Sequence, residues 1–443
     1  MKALIIVAGK SSRFSSLIKN GYKPLAQLLG LSLIERVLFA AKQAGIDEFI
    51  IVIGYFGEKI KKKLGNGNRY AVKITYVENK EWQRANGYSV LKAKELLKER
   101  FILLMGDHIF DPRILKELKK TESKEGESIL VVDQKPKEYI DLDDATKVKI
   151  ENGHIVDIGK KIEDYDAVDC GIFLLSPSIF EAIEESAKGG DETLSGGIRV
   201  LARGGKMRPL DLKDHFWMDI DTRENLQNAE RLLCKKLSKP TDGPVSKFLN
   251  RPLSIPISKL LVKTRINPNT ISFFSFLLCL LSAFFFSLGH YLPIVIGGLL
   301  SQFSSVMDGS DGEVARLKFQ QSDYGAWWDR FLDRYADVFL ILGMTFGLWS
   351  LHNRVEVWIV GLIALVGSFM TSYTAIPYDL ILTRGKKKVN LRFGRDIRLF
   401  LILIGALTNQ IFYTLILLGI LTNVVALRRI YILRNVQLSS DYS

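Results

Sequence analysis

The chain has 443 residues, of which 47% are hydrophobic and 25% charged, and a formal net charge of +13. The length suggests two or three domains, and this mixture of apolar and charged content points to a soluble part joined to a membrane part. No nucleic-acid-binding signature accompanies the basic charge, which leaves phosphorylated substrates and anionic lipid as its partners, and the three widely spaced cysteines make neither a zinc site nor a disulfide framework, as in a reducing compartment.

The chain opens "MKALIIVAGKSSRF". Its apolar run is too short for a signal-peptide core and no cleavage site follows, so the first half is expected in the cytosol. Through about residue 230, short β runs alternate with amphipathic helices. The predicted strands are "ALIIVAG" (3–9), "FIIVIGY" (49–55), "KITYV" (73–77) and "FILLMGD" (101–107); the predicted helices between them are 31–45 and 87–99. Near-continuous apolar strands separated by helices imply an α/β domain with a mostly parallel sheet covered on both faces.

In such a sheet, ligands bind where strands end. The loop "VAGKSSRF" follows the first strand: Gly9, Ser11 and Ser12 permit close backbone approach to phosphates, and Lys10, Arg13 and Lys23 can neutralise them. Asp107 ends a strand in "LLMGDH" and Asp219 lies in "FWMDIDT". Two carboxylates at strand ends beside a phosphate loop form a candidate Mg²⁺ site for a nucleoside triphosphate.

"KKLSKPTDGPVSKFLNRP" (235–252) is rich in proline, glycine and lysine and reads as a boundary. The expected organisation is a cytosolic domain over 1–232, a linker over 233–252 and an all-α membrane domain over 253–443. Apolar segments recur at about 271–288, 291–307, 328–350, 356–376, 397–408 and 411–427, six expected spans. Basic residues crowd one set of flanks, including 383–398 and 428–434, while the opposite loops hold one arginine. The positive-inside rule therefore places the N-terminal domain and the C-terminus in the cytoplasm of a multi-pass cell-membrane protein.

Among these apolar segments lies "MDGSDGEVARLKFQQSDYGAWWDRFLDRYAD" (307–337). A carboxylate in hydrocarbon costs several kcal/mol by the gentlest scale, roughly 3 at a helix centre, so this charge needs a purpose. Asp308 and Asp311 share one helical face, and Asp329 and Asp333 share another. Four converging carboxylates suit one or two divalent cations. Gly312, Ala315 and Gly325 leave room for a bulky ligand, and Arg316 offers a fork for phosphate oxygens. Asp337 reads as an interfacial cap or a partner of Arg330 and Arg334. An ion pathway is the competing class, although it accounts for neither the small residues nor the arginine.

Two family resemblances rest on these residues. The stretches "AGKSSRF…KPL", "NGYS" (86–89), "GD" (106–107), "DCGIFLLSP" (169–177) and "WMDIDT" (217–222) resemble the sugar-phosphate nucleotidyltransferases over roughly 1–230. That resemblance implies a Rossmann-like domain joining a nucleoside triphosphate to a phosphorylated alcohol with release of pyrophosphate. It assigns phosphates to the loop from Gly9 to Arg13 and to Lys23, with Arg13 and Lys23 also catalytic. It assigns the base to Asn86, Gly87 and Ser89, and Mg²⁺ (or Mn²⁺) to Asp107 and Asp219. Ser11 stands where the sugar enzymes usually carry glycine, and this form is similar to cytidylyltransferases acting on polyol or amino-alcohol phosphates, which favours CTP.

The string D-x-x-D-G-x-x-A-R-x8-G-x3-D-x3-D resembles the CDP-alcohol phosphotransferases, over roughly 245–435. It implies six transmembrane helices, metal on Asp308, Asp311, Asp329 and Asp333, nucleotide contacts from Gly312 and Arg316, and Asp333 as the base that deprotonates the acceptor. Such enzymes move a phospho-alcohol from a CDP-alcohol to a hydroxyl and release CMP. Together the halves resemble the bifunctional family of CTP:inositol-1-phosphate cytidylyltransferases and di-myo-inositol phosphate phosphate synthases. The expected substrates are CTP, a CDP-alcohol and polyol phosphates, with membrane lipids around the second half and a homodimer through it left open. The runner-up is a phospholipid synthase with a lipid acceptor; the alternative of another class is a transporter with a regulatory nucleotide-binding domain.

Overall fold

The computed structural model describes residues 1–10, 22–239, 242–384 and 393–434. Ser11, Ser12 and Arg13 of the expected phosphate loop lie outside the described residues, as does 385–392 of the basic stretch. The chain divides into two compact units, Met1–Leu233 and Cys234–Ser443.

In the first unit, four strands are parallel neighbours: β1 (Lys2–Val7), β2 (Glu48–Ile53), β3 (Lys73–Glu78) and β4 (Phe101–Met105). β1, β2 and β4 are apolar on both faces and sit inside the sheet, with Leu4, Ile51 and Leu103 fully buried, whereas β3 pairs only with β2 at the sheet's edge and buries Ile74 alone. Helix α1 (Leu33–Gln43) starts where it does because Ser32 and Glu35 form a reciprocal capping box. The second expected helix is shorter than 87–99. Helix α2 (Asn86–Leu91) gives way to a tighter turn, and Val90, Ala93 and Leu97 all enter the core.

The sheet is mixed rather than mostly parallel. Beyond β4 come β9 (Ala167–Leu175), β7 (Lys147–Glu151) and β8 (His154–Gly159), each pairing antiparallel with its neighbour. β6 (Ser128–Asp133) pairs with β9 and with β10 (Met207–Asp211). A separate two-stranded ribbon joins β5 (His108–Phe110) to β11 (Trp217–Asp219), with His108 opposite Asp219. Because β5 directly follows β4, this ribbon hangs over the carboxyl end of the parallel strands.

The second unit is helical: α3 (Arg251–Leu261), α4 (Pro268–Ser287), α5 (Tyr291–Leu317), α6 (Asp323–His352), α7 (Val355–Arg384), α8 (Arg395–Leu407) and α9 (Ile411–Arg434). Four helical stretches among the described residues are long and apolar enough to cross a membrane: Pro268–Ser287, Asp323–His352, Val355–Ala375 and Ile411–Arg434. Of the other two expected spans, α8 has 13 residues, about 20 Å of helix. The apolar run of α5 is broken by serines, Gln302 and aspartates. Small residues set the packing: a Cβ at Gly343 or Gly347 of α6 would run into the backbone of Ala283 or Phe286 of α4.

Candidate active sites

The first cluster forms where β4 passes into β5. The β5–β11 ribbon carries Asp107 and His108 against Asp219, and the turn Lys23–Leu25 brings in a buried lysine from below. Lys23 Nζ lies 2.8 Å from Asp107 Oδ2, 3.0 Å from Asp219 Oδ1 and 2.6 Å from Asp221 Oδ1. Its ammonium has three N–H bonds and meets three carboxylates. Burial works against the lysine's charge, but Asp107, Asp219 and Asp221 outweigh it and hold the pKa above the ordinary range. His108 Nδ1 lies 2.9 Å from Asp107 Oδ1 and 3.6 Å from Asp219. Burial opposes the imidazolium, yet Asp219 and Asp107 push it up to about 8.

The carboxylates divide by environment. Burial raises Asp107, but the adjacent Lys23 and His108 charges carry it well below the usual carboxylate range. Asp219 is pushed up to about 6, first by burial and then by the charge of Asp107. Burial likewise brings Asp169 up to about 6; its Oδ1 accepts from Gly171 N at 2.7 Å. Gly171 has φ +68°, and a Cβ there would stand 2.6 Å from His108 Nε2, so only glycine lets the ring lie against β9. Asp107, His108 and Asp219 each offer a ligand atom, all within 4.8 Å of one another. Oxygen-rich donors with excess negative charge fit Mg²⁺ or Mn²⁺.

A cavity of about 370 Å³ opens over this cluster, lined among others by Lys23, Asn86, Asp107, Asp169, Asp219 and Asp221. The other expected nucleotide contacts stand elsewhere. Gly87 packs so closely on the 192–194 backbone that a Cβ would come 2.5 Å from Glu192 O. Ser89 is buried and accepts from Asn79 Nδ2 at 3.0 Å. Gly9 has open space around it, and the Lys10 ammonium lies 5.9 Å from the Tyr55 ring centre. His108, Asp169 and Asp221 are additions to the sequence reading. The alternation "MDID" carried a signal for Asp221, since residues two apart point the same way.

The second cluster is built by α5 and α6. The polar stretch between them ends at Ser322, whose hydroxyl caps α6 by accepting from Gly325 N. Carboxylate oxygens of Asp308, Asp329 and Asp333 all lie within 4.8 Å of one another. Asp311 accepts from Ser272 Oγ of α4 and neighbours Asp329. Arg395, at the start of α8, reaches Asp333 at 2.7 Å, Asp337 at 3.2 Å and Asp308 at 3.5 Å. Several carboxylates around one guanidinium again suit a hard divalent cation. A cavity of about 550 Å³ takes in Asp308, Asp311, Gly312, Ala315, Arg316, Gly325 and Asp329, with Arg395 on its wall.

Asp337 departs from its expected place. Its partners are Arg395, Arg398 at 3.2 Å and Ser368 Oγ at 2.9 Å, not Arg330 or a helix end. It continues the four-residue series of Asp329 and Asp333, which turns it inward onto α7 and α8. Ser272 was absent from the sequence reading because no local spacing ties it to the motif, and Arg395 entered there only as part of the basic stretch 384–398, as a source of cations for a phosphorylated acceptor.

Two family models match: nucleotidyl transferase over residues 2–236 and CDP-alcohol phosphatidyltransferase over residues 265–436. The chain is 34% identical to the bifunctional IPC transferase and DIPP synthase of Rubrobacter xylanophilus, across 98% of this chain and 96% of that one. Proteins of the same description from Aquifex aeolicus (33% identical, 97% of each chain) and Archaeoglobus fulgidus (35% identical, 93% of this chain and 79% of that one) are similar too.

Proposed function

Because the chain belongs to the family of bifunctional IPC transferases and DIPP synthases, we propose that it makes CDP-inositol and then consumes it. In the first step, a phosphate oxygen of inositol 1-phosphate attacks the α-phosphorus of CTP and pyrophosphate leaves. In the second, a hydroxyl of another inositol phosphate attacks the phosphorus that carries inositol in CDP-inositol. CMP leaves, and the product is di-inositol phosphate phosphate. The observation that carries this reading is the pair of separate acidic clusters, one in each compact unit.

At the first site, Asp107 and Asp219 would hold the cation, with His108 beside them, and Asn86 stands on the cavity wall to meet the base. The cation supplies neutralising charge for the phosphates. Lys23 already spends its donors on three carboxylates, so meeting a phosphate requires it to exchange at least one of them. Lys10 and Arg13 extend the positive charge toward the leaving pyrophosphate in this reading.

At the second site, Asp308, Asp311 and Asp329 would hold the cation, which draws negative charge from the diphosphate. Gly312 and Ala315 leave room for the nucleotide, and Arg316 meets phosphate oxygens. Asp333 takes the proton of the attacking hydroxyl, and Arg395 positions its carboxylate through the 2.7 Å contact. A phosphorylated acceptor also favours Arg395 on the cavity wall. All six helices α4–α9 cross the membrane in this proposal, with residues 1–250 and the C-terminus cytoplasmic.

The test is incubation with CTP, Mg²⁺ and a panel of polyol phosphates, following pyrophosphate and CMP. Pyrophosphate from inositol 1-phosphate, then CMP and a water-soluble product, is expected. A product that partitions into organic solvent would replace this reading with lipid synthesis. Absence of both leaving groups would overturn it.

A further inference from the structure

Part of the second site's wall comes from a stretch that neither family model covers. Lys239, Asn250 and Arg251 line the large cavity, yet they fall between the matched segments 2–236 and 265–436. This stretch is fastened to the helices around the site. Arg251 grips Asp242 through Nε at 2.8 Å and Nη2 at 3.1 Å, and its Nη1 donates to Glu313, a fully buried carboxylate of α5. Asn250 donates to Ser305 Oγ at 3.0 Å and accepts from Gln302 at 2.7 Å. Lys239 N donates to Asp242 Oδ2 at 2.9 Å, and Leu237 O accepts from Arg316 Nη2 at 3.3 Å.

These bonds set Lys239 at the rim of the cavity, where the charges of Arg316 and Arg251 bear on it. The Arg316 Nε is buried with no hydrogen-bond partner among the described residues. Asp242 also bears on Lys239 and already pairs with Arg251, so it is the unsatisfied Nε–H of Arg316, with Lys239 on the same cavity lining, that calls for a further anion. Arg316 sits on the same helix as Gly312 and Ala315, the two small residues that open the cavity, and Asp311 also bears on Lys239. A diphosphate held there would also reach toward the cation that Asp308, Asp311 and Asp329 would hold. The attacking hydroxyl belongs instead beside Asp333, which Arg395 holds.

We infer that Lys239 binds the diphosphate of the CDP-alcohol together with Arg316, which makes the stretch between the two matched segments, at the start of the second unit, a working wall of the second site. The inference rests on the reading of that unit as a user of CDP-alcohol. It is tested on the full chain in lipid vesicles with Mg²⁺, using Lys239→Ala, Lys239→Gln and Lys239→Arg. Loss of one charge-assisted contact is expected to weaken CDP-inositol binding and raise its KM by about tenfold to a hundredfold. The KM for inositol phosphate and pyrophosphate release at the first site stay as in wild type, and Lys239→Arg recovers most of the affinity. Unchanged CDP-inositol affinity in a folded Lys239→Ala protein overturns the inference, as does an effect confined to the acceptor's KM. If the wild type releases no CMP from CDP-inositol, the functional reading fails instead. Calorimetry with CDP on wild type and Lys239→Ala then still decides the diphosphate contact, because equal affinities refute it.

Discussion

Arg395 Nη1 lies 2.7 Å from Asp333 Oδ1, and the same guanidinium reaches Asp337 and Asp308. One side chain from α8 thereby ties the last two carboxylates of the inward series on α6 to the first carboxylate on α5. Arg398 completes the arrangement by meeting the other oxygen of Asp337. Asp333 is thus held through Oδ1 by Arg395, while its Oδ2 lies 3.6 Å from Arg334 Nη2.

Asp333→Asn keeps the shape and loses the capacity to take a proton. We expect transfer to slow by at least about a hundredfold, within the usual range for a general base, while CDP-inositol binding persists. Asp308→Asn, by contrast, should weaken metal and nucleotide binding together. Single-turnover transfer and nucleotide titration on both variants check this; near-normal transfer by Asp333→Asn would assign the proton elsewhere.

The two activities should separate by mutation. Asp107 belongs to a cluster in the first unit and has no counterpart role in the second. Asp107→Ala is expected to abolish pyrophosphate release from CTP and to leave CMP release from supplied CDP-inositol intact. Chelation of divalent cations should stop both, since each acidic cluster then lacks its counter-charge. Loss of CMP release in a folded Asp107→Ala protein would show that the sites depend on one another.

What the sequence disclosed follows from how local each pattern is. Asp308, Asp311, Asp329 and Asp333 were legible because helical spacing alone fixes their faces, and β1, β2 and β4 because buried parallel strands are almost wholly apolar. Asp337 obeyed the same spacing but was assigned to Arg330 and Arg334; the charge of Arg334 does bear on it, while its contacts are Arg395 and Arg398 of α8 and Ser368 of α7. His108 faces Asp219 only through an antiparallel ribbon whose strands lie far apart in the chain. No periodicity announces such a pairing. The antiparallel half of the sheet was hidden for a related reason: β7 and β8 carry polar residues on partly exposed faces, which blurs their runs.

Orientation in the membrane can be read at two helix junctions. Asn353 follows α6 and Asn409 lies between α8 and α9, both with left-handed backbone that asparagine tolerates. If the basic flanks are cytoplasmic, these two turns face outward. Cysteine introduced at either position, in a chain whose native cysteines are replaced by serine, should react with an impermeant maleimide from the outer face. Labelling only after the membrane is permeabilised would invert the topology.

Glu35 should be a principal support of the first unit. It is 2% exposed and accepts from Ser32 N at 2.8 Å, Ser32 Oγ at 2.7 Å and Tyr70 OH at 2.8 Å, with Lys63 Nζ at 3.0 Å. Burial alone would raise its pKa, but the bonds from Ser32, Lys63 and Tyr70 bring it below the ordinary carboxylate value of 4.5. Glu35→Ala leaves the buried donors of Ser32 unpaired, leaves Tyr70 OH only its 3.4 Å bond to Lys63 O, and removes the cap of α1, so about 3 kcal/mol of local stability should be lost. A carboxylate with a depressed folded pKa stabilises above its unfolded pKa, and that contribution fades as pH falls through the folded value. The difference between wild type and Glu35→Gln should therefore be full at neutral pH and shrink only below about pH 4.5, where the unfolded carboxylate starts to protonate. Hydrogen exchange across Leu33–Gln43 in the full-length protein reads both effects. Equal protection of wild type and Glu35→Ala at neutral pH would mean that the packing of α1, rather than its buried cap, holds this helix in place.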